Sequence, residues 1–167
     1  TSHQLANAGE TYTYRIIHST PPEIYDSYKA TSYTFTDVLQ PGQSVNGGAA
    51  AIKVYNGDGG NITSNFSIGI NGQTVTLTTT KVDVIYGDVI TIDIPTILNS
   101  DAPGYMVNGT LTRTNTASVS RVYKGTTETR NSNTTTLTMS GGGFDMAHPQ
   151  IAKAVKVASG SGYASKA

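Results

Sequence analysis

Hydrophobic and polar residues alternate most clearly in residues 66–94, and the first half of this stretch predicts a β-hairpin. Asn71-Gly72 is a strong signal for a two-residue turn, because a type I′ turn needs positive φ at both central residues. Folding about this turn pairs Ile68 with Val75. Four apolar side chains then share one face, which we expect to be buried: Phe66, Ile68, Val75 and Leu77.

The second half of the stretch predicts another hairpin, which turns at Tyr86-Gly87-Asp88. A three-residue loop pairs Val84 with Ile90, whereas a two-residue loop would mix the apolar and polar faces. Pro95 is expected to end the last strand, since proline has no N–H for a ladder. The two hairpins together predict a set of core residues: Phe66, Ile68, Val75, Leu77, Val82, Val84, Ile90 and Ile92.

Turn signals recur about every 8–12 residues along the rest of the chain, which is typical of a sandwich or barrel. Further strands are predicted at residues 11–17, 31–39, 49–55, 105–113, 117–124, 126–130 and 134–139. In the strand 31–39, the side chains of Tyr33, Phe35 and Val38 are expected to face inward. Thr20, Pro21 and Glu23 fit either a capped short helix through Tyr28 or a Pro-Pro connection between strands.

These elements predict an all-β fold, an antiparallel β-sandwich or jelly-roll-like barrel of about ten strands with a flexible C-terminal arm. The predicted organisation is a flexible N-terminal lead at 1–10, a β-sandwich domain at 11–139, and a Gly-rich joint with the arm at 140–167. One domain suits a chain of 167 residues.

Composition narrows the possible functions. The formal net charge is zero and only 13% of residues are charged, so we predict no nucleic-acid partner. Cysteine is absent, which excludes thiol chemistry and disulfides. Residues 1–9 have neither a basic start nor an apolar run, so no signal peptide is expected. No stretch is apolar enough to predict a membrane span.

Three features could carry chemistry, and each has a simpler structural explanation. The loop at 56–61 partly resembles a calcium loop, but Gly60 stands where a ligand belongs and a glycine-rich turn explains it. His3, His18 and His148 lack partners at metal-ligand spacing. Asp83 and Asp93 could act as a glycosidase pair, although solvated sheet-face carboxylates are common. We therefore predict a non-enzymatic protein with no catalytic, metal or cofactor residues.

Tyrosine is the most frequent aromatic residue, with ten copies and no tryptophan. Several tyrosines lie near predicted turns: Tyr25, Tyr28, Tyr33, Tyr55, Tyr86 and Tyr105. Grouped on one face they could stack on sugars or contact a protein, while the simpler interpretation is tyrosine at the core edge with its hydroxyl in water.

The sequence changes character after Met139, where Ser140 and three glycines form a flexible joint. The segment that follows fits a helix starting at Pro149, fits a strand about half as well, and is also compatible with an unstructured arm. We predict that an arm of this kind docks on a neighbouring molecule, although a frayed terminus is an equal alternative. Its candidate interaction residues are Phe144, Met146, Ile151, Val155 and Val157.

In composition the chain resembles small β-sandwich structural proteins of tailed-phage virions. The resemblance rests on Thr-, Gly- and Asn-rich strands, missing cysteine, the lack of a signal peptide and the arm at 140–167. It implies a virion protein (capsid decoration, tail or adaptor) that forms homo-oligomers by β-edge or arm exchange with copies of itself or other virion proteins. The alternative is a carbohydrate-binding or adhesive module, secreted or on the cell surface.

Overall fold

β-Strands make up most of the computed structural model, which describes residues 1–22 and 29–147. The all-β sandwich predicted from the sequence is confirmed. No helix among these residues is long or apolar enough to span a membrane. The elements of the described ranges are β1 Ser2–Gln4, β2 Tyr12–Ser19, β3 Ser32–Val38, β4 Gln43–Val45, β5 Lys53–Tyr55, β6 Ser67–Asn71, β7 Thr74–Thr79, β8 Val89–Leu98, β9 Thr110–Asn115, β10 Ala117–Tyr123, β11 Thr126–Asn131, β12 Thr135–Ser140 and α1 Gly142–Ala147.

The strands form two layers. In the small sheet, β8 pairs with β2 on one side and with β4 and β5 on the other, always antiparallel. The large layer combines a sheet in the order β11-β10-β3-β7-β6 with a sheet in the order β1-β12-β9. The chain links these two sheets, because β9 is followed by β10 after Thr116, whose hydroxyl lies 2.6 Å from that of Thr134.

The hydrophobic core lies between the two layers. Strand β8 buries every second residue, including Ile90, Ile92 and Ile94. Phe35 of β3 is fully buried at the centre. Its ring centroid lies 5.3 Å from that of His18 on β2, in an edge-on arrangement that joins the layers.

The first predicted hairpin is present as β6 and β7, but its register differs by two residues. Ile68 pairs with Leu77 rather than with Val75, and the turn is centred on Gly72 and Gln73. Only Gly72 has a positive φ, of 61°, which is the requirement of a type II′ turn rather than type I′. A shift of two residues preserves the faces, so the predicted inward set is unchanged.

The second predicted hairpin is wrong. Val82–Val84 forms a 3-10 helical turn instead of a strand. The buried Ile85 side chain and the Tyr86 hydroxyl, which donates to the Ala30 carbonyl at 3.0 Å, hold this turn against the core. Val84 is 37% exposed and is not a core residue. The other predicted core residues are buried or packed against the core.

Pro95 does not end β8, which continues to Leu98. The Pro95 carbonyl accepts a hydrogen bond from the Asn46 N–H at 2.8 Å, so the backbone of Pro95 faces the β4–β5 side. There it falls between the pairs Lys53–Asp93 of β5 and Val45–Thr96 of β4. The missing N–H therefore leaves the ladder with β2 intact and falls just beyond the end of β4, so proline is tolerated inside the strand.

Other predicted strands are shorter in the structure. Ala49–Ala51 and Ala102–Tyr105 form 3-10 turns ahead of β5 and β9. Val38 is 55% exposed rather than inward, because the buried face of β3 consists of Tyr33, Phe35 and Asp37. The capped helix predicted after Thr20 concerns residues 23–28, which lie outside the described residues.

Substituting Phe35 with alanine should destabilise the domain by roughly 3–5 kcal/mol, since it removes a fully buried ring at the layer interface. Chemical denaturation followed by circular dichroism would measure the change. The matched control is Ile70→Ala on the edge strand β6, where the side chain is 38% exposed, and its cost should stay below about 1 kcal/mol. Equal losses for the two variants would contradict this description of the core.

Candidate functional site

A buried acid and a buried amide form the most unusual polar contact in the described residues. Asp37 takes the inward position after Phe35 on β3, and none of its surface is exposed. The last residue of β9, Asn115, is also buried, and its Nδ2 donates to Asp37 Oδ1 at 2.6 Å. Asp37 Oδ2 is buried without a hydrogen-bond partner in the described part of the chain. One oxygen of this pair is therefore available to a further donor.

Burial raises the pKa of the Asp37 carboxyl to about 6, and the hydrogen bond from Asn115 offsets part of that rise. A buried carboxylate without a cation is unfavourable, so the neutral acid is favoured up to mildly acidic pH. A neutral carboxylic acid can donate a hydrogen bond or a proton, which an ionised aspartate cannot.

Two tyrosines and a glutamine hold the start of β2 beside this pair. The hydroxyls of Tyr12 and Tyr14 both donate to Gln43 Oε1 at 2.7 Å. Burial raises the pKa of both phenols, that of Tyr14 to about 12, and the negative charge of Asp37 adds to the rise at Tyr14. Both hydroxyls consequently remain neutral donors. The Gln73 Nε2 donates to the carbonyl of Gln43 at 3.3 Å and fixes the loop from the other side.

An open groove runs along β2, the outer strand of the small sheet. Its lower part, of about 750 Å³, lies between β2 and the strands β1 and β12, and Asn115 contributes to its wall. Its upper part, of about 260 Å³, continues between β2 and the β10–β11 hairpin. Ile16, Ile17 and Ala117 line both parts. We call the two parts together the β2 groove.

Two buried polar atoms of the groove lack partners in the described residues, His18 Nε2 in the upper part and Thr135 Oγ1 in the lower part. Burial lowers the pKa of His18, so its ring is neutral near physiological pH. Buried groups of this kind are normally paired. The β2 groove therefore has the character of a surface that another chain segment covers.

The predicted interaction residues fall in different places. The Phe144 side chain is half-buried and packs against the core. Met146 lies in α1, and Ile151, Val155 and Val157 are outside the described residues. The predicted docking role of the arm stays a prediction. The predicted boundaries also stay a prediction, although residues 2–4 form β1 and pair with β12.

The geometry does not support a glycosidase pair at Asp83 and Asp93 or a calcium site in the 56–61 loop. Asp83 forms an ion pair with Lys29, whereas Asp93 lies on another element and binds Arg15 at 2.7 Å. In the 56–61 loop, the Asn56 Oδ1 accepts the Asp58 and Gly60 N–H groups, so it acts as a turn. No group of three metal-ligating side chains occurs in the ranges that the structure covers.

The tyrosines do not collect into one exposed patch within the described residues. Tyr12, Tyr14 and Tyr33 are buried. Tyr105 stacks under Arg113, with the guanidinium 5.2 Å from the ring centroid, while Tyr123 lies beside the Lys124 ammonium at 5.6 Å. This arrangement matches the core-edge interpretation better than a sugar-stacking surface.

The Asp37–Asn115 pair was not predicted, although half of its signal was present. The alternation of Tyr33 and Phe35 places Asp37 on the same inward face, and an acid on a buried face indicates a special site. Nothing local marks Asn115, because its contact with Asp37 spans 78 residues.

Comparison with known proteins shows which solved structures have a similar fold. No family model and no curated protein matches the chain. The major pilin BcpA of Bacillus cereus is similar with a TM-score of 0.62 and 20% identity, covering 83% of this chain and 37% of that one. The N-terminal domain of the Streptococcus gordonii adhesin Sgo0707 is similar with a TM-score of 0.63 and 18% identity, covering 81% and 30%.

A third similar structure is the major pilin SpaA of Corynebacterium diphtheriae, said to point to a modular pilus assembly and stabilizing isopeptide bonds. Its TM-score is 0.51 at 19% identity, over 68% of this chain and 27% of that one. The chain spans about a third of the length of the pilin and adhesin chains it matches. The fold is thus that of domains in bacterial pilins and surface adhesins.

These similarities overturn the resemblance to tailed-phage virion proteins. The neighbours in structure are pilins and adhesins of bacteria, so the assignments as capsid decoration, phage tail protein and virion component are wrong. The compositional features behind them are shared by many β-rich proteins, because Thr favours strands and Gly and Asn favour turns.

Asp37→Asn should change how stability depends on pH. In the wild type the pKa is about 6 when folded and 3.8 in the reference state, so the folded chain binds the proton more tightly. The contribution of Asp37 to the free energy of unfolding is therefore fully present below pH 3.8. It is lost as the pH rises through about 6, by roughly 3 kcal/mol in all. The variant keeps the hydrogen-bond acceptor for Asn115 without that loss, and should exceed the wild type at pH 8.

Urea denaturation of both proteins at several pH values would measure this difference, with the exposed Asp101→Asn as the matched control. Parallel pH profiles for wild type and Asp37→Asn would show that Asp37 is ionised at no cost in the folded protein.

Proposed function

We propose that this chain is a non-enzymatic structural domain of a bacterial cell-surface filament or adhesin. The observation that carries the proposal is the fold, which is similar to domains of two pilins and one adhesin over 68% to 83% of the chain. Since the chain spans only part of each of those proteins, we place it as one unit of a larger modular arrangement. Its partners are copies of itself or other surface proteins.

Several features of the described residues support this role. The buried tyrosine hydroxyls at the start of β2 are committed to structural bonds in the Tyr12–Gln43–Tyr14 cluster. The candidate catalytic carboxylates lie apart in separate ion pairs. A domain of this kind acts by packing and by holding its shape, so a long open strand edge is an asset for assembly.

Antibodies against the purified chain, applied to intact cells of the source organism, should place immunogold label on the outer surface or along filaments. Cells from which the gene has been deleted serve as the control and should lose the label. A label confined to the cell interior, or to released phage particles, would contradict the proposed surface role.

We further infer that Asn115 can accept an isopeptide bond, as bonds of that kind are ascribed to the SpaA pilin. A lysine Nζ attacking the Asn115 Cγ forms a C–N bond, and the bond to Nδ2 breaks to release ammonia. Asp37 Oδ1 lies 2.6 Å from Nδ2, the atom that leaves. The neutral Asp37 can protonate this nitrogen and recover a proton from the attacking amine, so no net proton is consumed.

Concentrated protein should therefore yield species that withstand boiling in detergent, each bond lowering the mass by one ammonia. Asn115→Ala and Asp37→Ala should abolish them, whereas Asn133→Ala, another residue of the groove wall, should not. Mass spectrometry of the heated samples makes the measurement. If no detergent-resistant species form, the isopeptide inference is wrong, whereas the surface role is tested separately by the labelling experiment.

A further inference from the structure

We propose that the β2 groove is a strand-acceptor site, and that its occupant is segment 151–158 of a second copy of this chain, paired antiparallel with β2. The inference deepens the proposed surface-filament role by naming the partner segment. It rests on the free edge of β2, the lining of the groove, the pattern of the segment and the position at which the chain leaves the sandwich.

The free edge of β2 offers a complete set of backbone groups. Because Pro95 faces the β4–β5 side, its partner Thr13 points its N–H and C=O away from β8. The same holds for each second residue along the strand. The residues with groove-facing backbone groups are Thr13, Arg15, Ile17 and Ser19. None of their backbone groups makes a loop or turn hydrogen bond in the described residues, so an added strand can pair with all four.

The walls of the groove require an apolar occupant with a few polar groups. Ile16, Ala117 and Leu137 line it along its length. The unpartnered His18 Nε2 and Thr135 Oγ1 are buried in the same walls. An extended backbone satisfies such atoms, whereas a wholly apolar side chain does not.

Residues 151–158 read Ile-Ala-Lys-Ala-Val-Lys-Val-Ala and match the eight residues of β2 in length. In an extended conformation Ile151, Val155 and Val157, three of the five predicted interaction residues, share one face. Lys153 is the single charged residue on that face. A lysine directed into the sandwich needs a buried acid, and Asp37 Oδ2 beside the groove-lining Asn115 is buried without a described partner.

The position of α1 favours a second copy over the same chain. The Ala8 N–H donates to the Gly143 carbonyl at 3.1 Å, so α1 begins beside the segment that leads into the Tyr12 end of β2. The small sheet is antiparallel throughout, and an antiparallel strand enters at the Ser19 end, about 27 Å away. Residues 148–150 span only about 10 Å. Another copy has no such restriction, and head-to-tail donation extends into an open filament.

Light scattering at increasing concentration should show self-association of the full-length chain. Val155→Asp/Val157→Asp should weaken it at least about tenfold, because charges enter an apolar groove. The matched control, Ala154→Asp/Ala158→Asp, changes the opposite face and should stay within about threefold. Equal effects of both variants, or a wild type that stays monomeric at every concentration, would overturn the proposal.

A complementation experiment separates donor from acceptor. Ile17→Pro removes one groove-facing N–H while leaving the β8 ladder intact, and circular dichroism checks its folding. Mixed with Val155→Asp/Val157→Asp, it should form a one-to-one dimer that cannot extend, since one partner retains a tail and the other a groove. A mixture that stays monomeric, when circular dichroism shows both variants to be folded, would contradict head-to-tail donation.

Hydrogen exchange on the associated wild type gives an independent readout. The amides of Thr13, Arg15 and Ile17 should slow on association, whereas their neighbours, already paired with β8, should not change. Slow exchange of these amides in a monomer would show that the chain fills its own groove, and would overturn the choice of a second copy. These experiments test self-association, so their results do not depend on the cellular location that the labelling experiment tests.

Discussion

Every strand of the small sheet is hydrogen-bonded to β8, and the rest of the sandwich depends on that arrangement. One side of β8 is taken by β2 and the other is divided between β4 and β5. The division places Pro95 between the stretches of β8 that pair with β4 and with β5. It also leaves β2 at the border of the sheet, where no described strand pairs with its outer edge. The open groove is therefore a direct result of how β8 is shared.

The interior of the sandwich is unusually polar near this border. Gln43 is fully buried and accepts both tyrosine hydroxyls, and Asp37 binds Asn115 close by. Buried polar groups contribute modestly to net stability, yet a wrong register would leave each of them unpaired. They accordingly select one alignment of the strands. Asp37 differs from the others in retaining an oxygen without a partner among the residues that the structure describes.

Local patterns predicted the fold better than the site. The hairpin of β6 and β7 could be located from Gly72 and the alternation around it, since both signals lie within a few residues. The segment at Val82 failed because its valines follow a strand period, while the burial of Ile85 and the bond from Tyr86 select a helical turn. Tertiary contacts override local propensity in such cases. The Asp37–Asn115 contact and the groove depend on residues far apart in sequence, which alternation alone does not bring together.

The misassignment to phage proteins has a similar cause. Threonine, glycine and asparagine report strand and turn propensity, and those requirements are common to unrelated β-proteins. The comparison of folds distinguishes what composition does not, because it compares the order and pairing of strands.

The parallel pairing of β1 with β12 has a mechanical consequence. Thr136 donates to the Thr1 carbonyl at 3.0 Å and Leu5 donates to the Thr138 carbonyl at 2.8 Å, so the two strands run side by side in the same direction. Tension applied through residue 1 and residue 147 pulls these strands in opposite directions along their length. The hydrogen bonds between them are then loaded together in shear rather than opened one after another. A domain loaded in this way resists extension through its unfolding rate rather than through its equilibrium stability.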